Sequence, residues 1–164
     1  MSIPMDIWQA VVSEFSDIAD IKEATVIALR LTLAAVLGAA IGYERELSGK
    51  AAGLRTHILV TLGSAIFILV PALSEMTTAD ASRVMQGVVS GIGFLGAGAI
   101  LKQTKDQEVK GLTTAASIWV AAAVGVAVGY GREAMAVAST LVALFVLAVL
   151  RRLEARVHRD EKEN

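Results

Sequence analysis

The sequence predicts an all-α fold, a polytopic membrane helix bundle of five transmembrane helices, on three observations. Five apolar runs approach the roughly 20 residues that a helix needs to cross the hydrocarbon core of a bilayer. Charge is nearly absent from those runs and crowded into the short segments between them. Lys and Arg are unevenly divided between alternate connections, as positive-inside topology requires. Composition agrees. Of 164 residues, 55% are hydrophobic and 19% charged, below the roughly 25% charged residues of a soluble domain. Lipid, not water, is the solvent such a surface suits. The net charge of −1 carries no nucleic-acid signature, and the absence of cysteine excludes disulfides, thiol catalysis and cysteine–metal sites.

The chain divides into an outer-side amphipathic segment (1–23), a five-helix membrane domain (24–150) and a charged, basic cytoplasmic tail (151–164). In the first segment Ile7, Trp8, Val11, Val12, Phe15 and Ile18 recur at helical spacing among acidic residues. That pattern fits a short helix lying on the membrane surface, and the acidic start does not fit a signal peptide. The first span runs from about Ala24 to Tyr43 and is interrupted only by Arg30. The second covers Thr56 to Leu73, with Pro71 near its end, where a missing backbone donor does little harm. The third covers Val84 to Leu101, the fourth Gly111 to Tyr130 and the fifth Glu133 to Leu150. Short polar connections make neighbours antiparallel.

Eleven basic residues follow spans one, three and five, from Arg45, Lys50 and Arg55 through Lys102, Lys105 and Lys110 to the tail. The opposite side has only Lys22, Arg83 and Arg132. This places the N-terminus outside and the C-terminus in the cytoplasm. A shift of 58 positions lays Gly38-Ala39 on Gly96-Ala97, Gly53-Leu54 on Gly111-Leu112 and Thr56 on Thr114 without a gap. Spans one and two and spans three and four therefore read as a parallel duplication of one helical hairpin, with the fifth helix added.

Several side chains stand out. Arg30 is the one ionisable residue well inside a span, a functional candidate by default. It lies about two turns from the outer end, within snorkelling reach, and no carboxylate lies deep in the membrane to neutralise it. Glu44, Arg45, Glu46, Arg55 and Lys110 form a candidate cytoplasmic network, with Glu44 and Arg55 brought together by the short first loop. His57, beside them, fits capping or packing better than metal binding. Gly38 and Gly42 make a small-xxx-small packing motif. Ser90, Gly91, Gly93, Gly96 and Gly98 belong to the most glycine-rich run. Its GxGxxG spacing lacks the soluble strand–turn–helix context of a dinucleotide site. Close helix packing is the favoured reading, and a broken helix lining a polar cavity the other. Thr113, Thr114, Ser117 and Trp119 open the fourth span as candidates for helix packing or a cavity wall.

Four blocks carry a family resemblance: Gly42-Tyr43-Glu44-Arg45-Glu46, Ala52-Gly53-Leu54-Arg55-Thr56-His57, Val89 to Gly98, and Val109 to Trp119. In this order and spacing, the chain from about Arg30 to Gly129 resembles the MgtC/SapB family of bacterial inner-membrane proteins. The resemblance implies a five-span membrane domain and a link to growth in low magnesium. In pathogens it implies survival inside phagocytes. Members are often labelled magnesium transport proteins, but the founding members look more like regulators of other membrane machines, including the ATP synthase. The chain is similar to a short form, without the soluble C-terminal domain of longer members. It carries Thr113 and Val120 where those can carry Asn and Cys. These departures weigh against a virulence role here and leave the membrane core intact.

The expected function is magnesium homeostasis or low-magnesium adaptation, exercised by regulating other membrane proteins. The alternative is a transporter or channel for Mg²⁺ or another ion. Magnesium favours octahedral oxygen ligands with one or two carboxylates, and the span interiors hold no Asp or Glu. The expected partners are the lipid bilayer, further copies of the chain in a homo-oligomer and another membrane protein. Neither a cofactor nor enzymatic chemistry is expected, and no metal-ligand set can be named.

Overall fold

A computed structural model describes residues 3–16, 20–74, 76–102 and 109–150. The tail at 151–164, together with Lys105 of the third connection, lies outside the described residues. The chain is a helical membrane bundle. An N-terminal helix α1 (Ile3–Glu14) precedes five helices that correspond to the five apolar runs: α2 (Ile21–Leu47), α3 (Leu54–Leu73), α4 (Thr78–Ala99), α5 (Leu112–Gly129) and α6 (Glu133–Phe145). The last continues into a π-helical turn, Val146–Leu150.

The helix ends follow local chemistry. Asp20 accepts the Glu23 amide at 2.7 Å and caps α2, so α2 begins three residues before the predicted span. Its far end passes the apolar run and takes in Glu44, Arg45 and Glu46, which sequence reading placed in a loop. Glu, Arg and Leu are good helix formers, and nothing stops the helix until the chain turns at Gly49, with φ +63°. Thr77 caps α4 through the Asp80 amide. Gly53 and Gly111, the glycines that superpose under the 58-residue shift, stand at the N-caps of α3 and α5.

One connection departs from the all-helical expectation. Leu101–Lys102 (β1) pairs antiparallel with Val109–Lys110 (β2), so the approach to α5 is a small ribbon. Gly111 closes it with φ +96°, and a Cβ there would stand 2.0 Å from the Ala99 carbonyl oxygen. Only glycine fits that corner.

Helices α2, α3 and α5 are each long and apolar enough to cross a membrane; α6 with its π turn is apolar but shorter. The polar first turns of α4 and its glycines keep it out of that group despite its 22 residues. Half of the apolar window of α5 is buried, against 22% for α2, so α5 is the central post. Ala34, Leu37 and Ile41 of α2, Ala65 of α3, Ala121, Val124 and Val128 of α5 and Ala136 of α6 form the main core. A second cluster joins Ala52 and Ile92 to Ile118 and Ala122. Small residues dominate inside, while Leu59, Phe67, Phe94, Leu141 and Phe145 point outward. That inside-out distribution is what lipid permits and water does not.

Candidate functional site

The densest polar constellation lies where the C-terminal turns of α2 meet the N-terminal turns of α3 and α5. Arg45 is turned inward on α2 and is 1% exposed. Its Nε and one terminal nitrogen both engage the neighbouring Glu44 carboxylate. The other Glu44 oxygen accepts the Ser48 hydroxyl at 2.8 Å. Two residues after Glu44, Glu46 accepts the Leu54 amide at 2.9 Å. It thereby caps α3, whose N-cap residue Gly53 has no side chain to do so.

His57, in the first turn of α3, is fully buried. Its Nδ1 lies 2.8 Å from the Gly53 carbonyl oxygen and its Nε2 3.0 Å from Ser117 Oγ on α5. Ser117 Oγ is also 2.8 Å from the Thr114 carbonyl oxygen, and Thr61 Oγ1 donates to the His57 carbonyl at 2.7 Å. The whole arrangement depends on Gly38 and Gly42 of α2. A Cβ at Gly38 would lie 2.8 Å from the His57 carbonyl oxygen, and one at Gly42 would lie 2.8 Å from Leu54 Cα. Glycine lets the two backbones touch there.

A second polar cluster sits at the opposite end of the bundle. Arg30 donates from Nη1 to the Gly129 carbonyl oxygen at 3.0 Å, and its Nε is 3.5 Å from a Glu133 carboxylate oxygen. Gly131, with φ +72°, passes beneath the guanidinium. Arg30 therefore has a carboxylate partner. Sequence reading missed it because Glu133 begins the last helix, at the level of the connection, rather than lying inside a span.

The other expected site residues divide. Thr114 and Ser117 are buried in the His57 network, whereas Thr113 is exposed. Arg55 is exposed in the first turn of α3, and the Glu44 carboxylate pairs with its neighbour Arg45. Lys110 is on β2. In α4, Gly96 makes an ordinary 3.7 Å contact with Ala115, but at Gly91, Gly93 and Gly98 an added Cβ would meet nothing. Ser90 is exposed beside them. Within the chain, tight packing falls instead to Gly125 and Gly129 of α5, a four-residue glycine spacing visible in the sequence but overshadowed by the richer run. Trp119 is 48% exposed and borders two apolar grooves on either side of α5, of about 480 and 670 Å³. A third, of about 660 Å³, separates α3 from α4. Among the described residues no three His, Asp or Glu side chains converge as a metal site.

The family described as the MgtC family matches residues 31–156, which take in both polar clusters except Arg30. The chain belongs to the MgtC family. It is 43% identical over 136 residues to YhiD of Escherichia coli strain K12, which is described provisionally as a magnesium transporter; the match covers 79% of this chain and 62% of YhiD. It is 42% identical to SrpB of Synechococcus elongatus, over 78% of this chain and 76% of SrpB. Protein MgtC of Salmonella typhimurium is 44% identical, over 80% of this chain and 55% of that protein. The chain thus spans 62% of the length of YhiD and 55% of that of MgtC. No solved structure matches the chain.

Proposed function

We propose that this MgtC-family protein crosses the bacterial inner membrane five times, N-terminus outside, and serves magnesium homeostasis by regulating other membrane proteins, without conducting the ion and without enzymatic chemistry. The observation that carries this reading is the closure on one another of the polar groups where α2, α3 and α5 meet. Glu44 is held by Arg45 and Ser48, and His57 is enclosed by Gly53 and Ser117. The three grooves along the bundle are walled mainly by apolar side chains, with no Asp or Glu among their linings. A dehydrating Mg²⁺ ion would need oxygen ligands along its way, one or two carboxylates among them, and the hydroxyls of these grooves come with no carboxylate beside them. The provisional description of YhiD supports the other reading, transport.

Reconstituted protein in liposomes loaded with a magnesium-sensitive dye separates the two. Regulation predicts uptake no faster than in empty liposomes. Saturable uptake that disappears in a folded Glu44→Gln variant would establish transport and overturn the proposal.

A further inference from the structure

We infer that His57 is a proton-binding switch, and that the Ser117 hydroxyl reverses direction as the proton comes and goes. The inference goes beyond the proposed regulatory role and does not depend on it. It follows from counting hydrogens on three buried contacts.

The Gly53 carbonyl oxygen can only accept, so Nδ1 of His57, 2.8 Å away, carries a hydrogen. Ser117 has a single hydroxyl hydrogen and two acceptors within reach, the Thr114 carbonyl oxygen at 2.8 Å and His57 Nε2 at 3.0 Å. It cannot serve both. If the hydrogen points at Thr114, Nε2 must itself donate to Ser117 Oγ, and the ring is an imidazolium. If the hydrogen points at Nε2, the ring is neutral with its hydrogen on Nδ1, and Thr114 keeps only its helical bond. Both states use the same heavy-atom positions and differ by one proton and one hydroxyl rotation. The remaining tautomer, with hydrogen on Nε2 alone, would set two lone pairs against each other at Gly53 and is excluded.

The surroundings accommodate either state. From α2 the ring is faced by Arg45 and by Glu44, whose opposite charges are already paired. The charged residue of α3 near it is Arg55, exposed to solvent. α5 presents only the hydroxyls of Thr114 and Ser117, and contains no ionisable side chain. Glu46 is spent on the Leu54 amide, Lys110 precedes α5 on β2, and the charges of α4, Asp80 and Arg83, lie in its first two turns at the far end. Ser117 also lines the α5–α6 groove beside Thr113. Protonation therefore adds one positive charge where α2, α3 and α5 meet and adds a bond from Ser117 to its own helix, while the bond between Ser117 and His57 of α3 persists in both states with its direction reversed.

The chain has two histidines, His57 and His158, so nitrogen NMR of ¹⁵N-histidine-labelled full-length His158→Gln protein in nanodiscs reads the ring alone. The expected result is a neutral ring with hydrogen on Nδ1 at the upper end of the range between about pH 5 and 8, becoming doubly protonated toward the lower end. In Ser117→Ala the charged-to-neutral ratio at a given pH falls several-fold, because the imidazolium loses a charge-assisted bond. Ser117→Thr restores the ratio, and Ser139→Ala leaves it unchanged. A ring that stays neutral or stays charged throughout, a neutral ring with hydrogen on Nε2, or a ratio indifferent to Ser117 overturns the switch. Should Ser117→Ala not fold, the tautomer and titration of the otherwise unaltered His158→Gln protein decide.

Discussion

Replacing Gly125 with alanine tests how the bundle is held together. A Cβ at this position of α5 would stand 2.2 Å from the Thr61 carbonyl oxygen and 2.9 Å from Ser64 Cβ, both on α3. The nearest obstacle is backbone, which cannot swing aside as a side chain can. Ordinary contact begins at 3.4 Å, so α3 and α5 must part by about 1 Å along their central crossing. Overpacking of this kind costs about 1–3 kcal/mol, occasionally more. For a chain of this length each kcal/mol corresponds to roughly 2–4 °C in unfolding midpoint, so Gly125→Ala should melt about 2–12 °C below the unaltered protein in detergent. Gly63→Ala is the control. An alanine Cβ there meets nothing, and exchanging a helical glycine for alanine is worth about 0.5–1 kcal/mol in favour of the helix. Equal midpoints for the two variants would refute the claim that α3 and α5 are in backbone contact at this crossing.

The buried pair gives a second test: Glu44→Ala strands the Arg45 guanidinium, which should cost about 3–5 kcal/mol, whereas Glu44→Gln combined with Arg45→Met should recover most of it. Chemical denaturation in mixed micelles checks this, and a double variant as unstable as the single one would contradict it. At the opposite end, Gly131→Ala forces alanine into φ +72° and against the Arg30 guanidinium, for an expected loss of about 1–3 kcal/mol. In an Arg30→Ala background only the backbone part should remain, so measured stabilities of the two substitutions should be non-additive.

The helices and their order were legible because lipid imposes long apolar runs, and each predicted run is a helix. Their ends were less so: Glu44 and Arg45 look like loop residues until the helix is seen to run past the apolar stretch. Adjacent residues on a helix do not normally face one another, so pattern reading paired Glu44 with Arg55 across the turn and passed over its neighbour. Arg30 and Glu133 meet because α2 packs against α6 as well as against α5, a relation no local pattern records. Glycine density pointed to α4, but what decides packing is which glycines face a backbone. At Gly38, Gly42, Gly125 and Gly129 they do; at Gly91, Gly93 and Gly98 they face open space. The His57–Ser117 contact joins positions 60 residues apart. Each residue was visible in the sequence, but not their meeting.

The glycine crossing of α5 on α3 has a mechanical consequence. Gly125 fits over the Thr61 carbonyl and Gly129 over the Ala65 carbonyl. Advancing α5 by four residues, about 6 Å, would put Ala121 where Gly125 sits; retreating by four would bring Glu133, beyond the end of the helix, to the place of Gly129. Neither register fits, so α5 can neither creep along α3 nor ratchet past it by a turn. Rearrangement of the bundle must then come from elements swinging about this fixed axle, not from sliding along it.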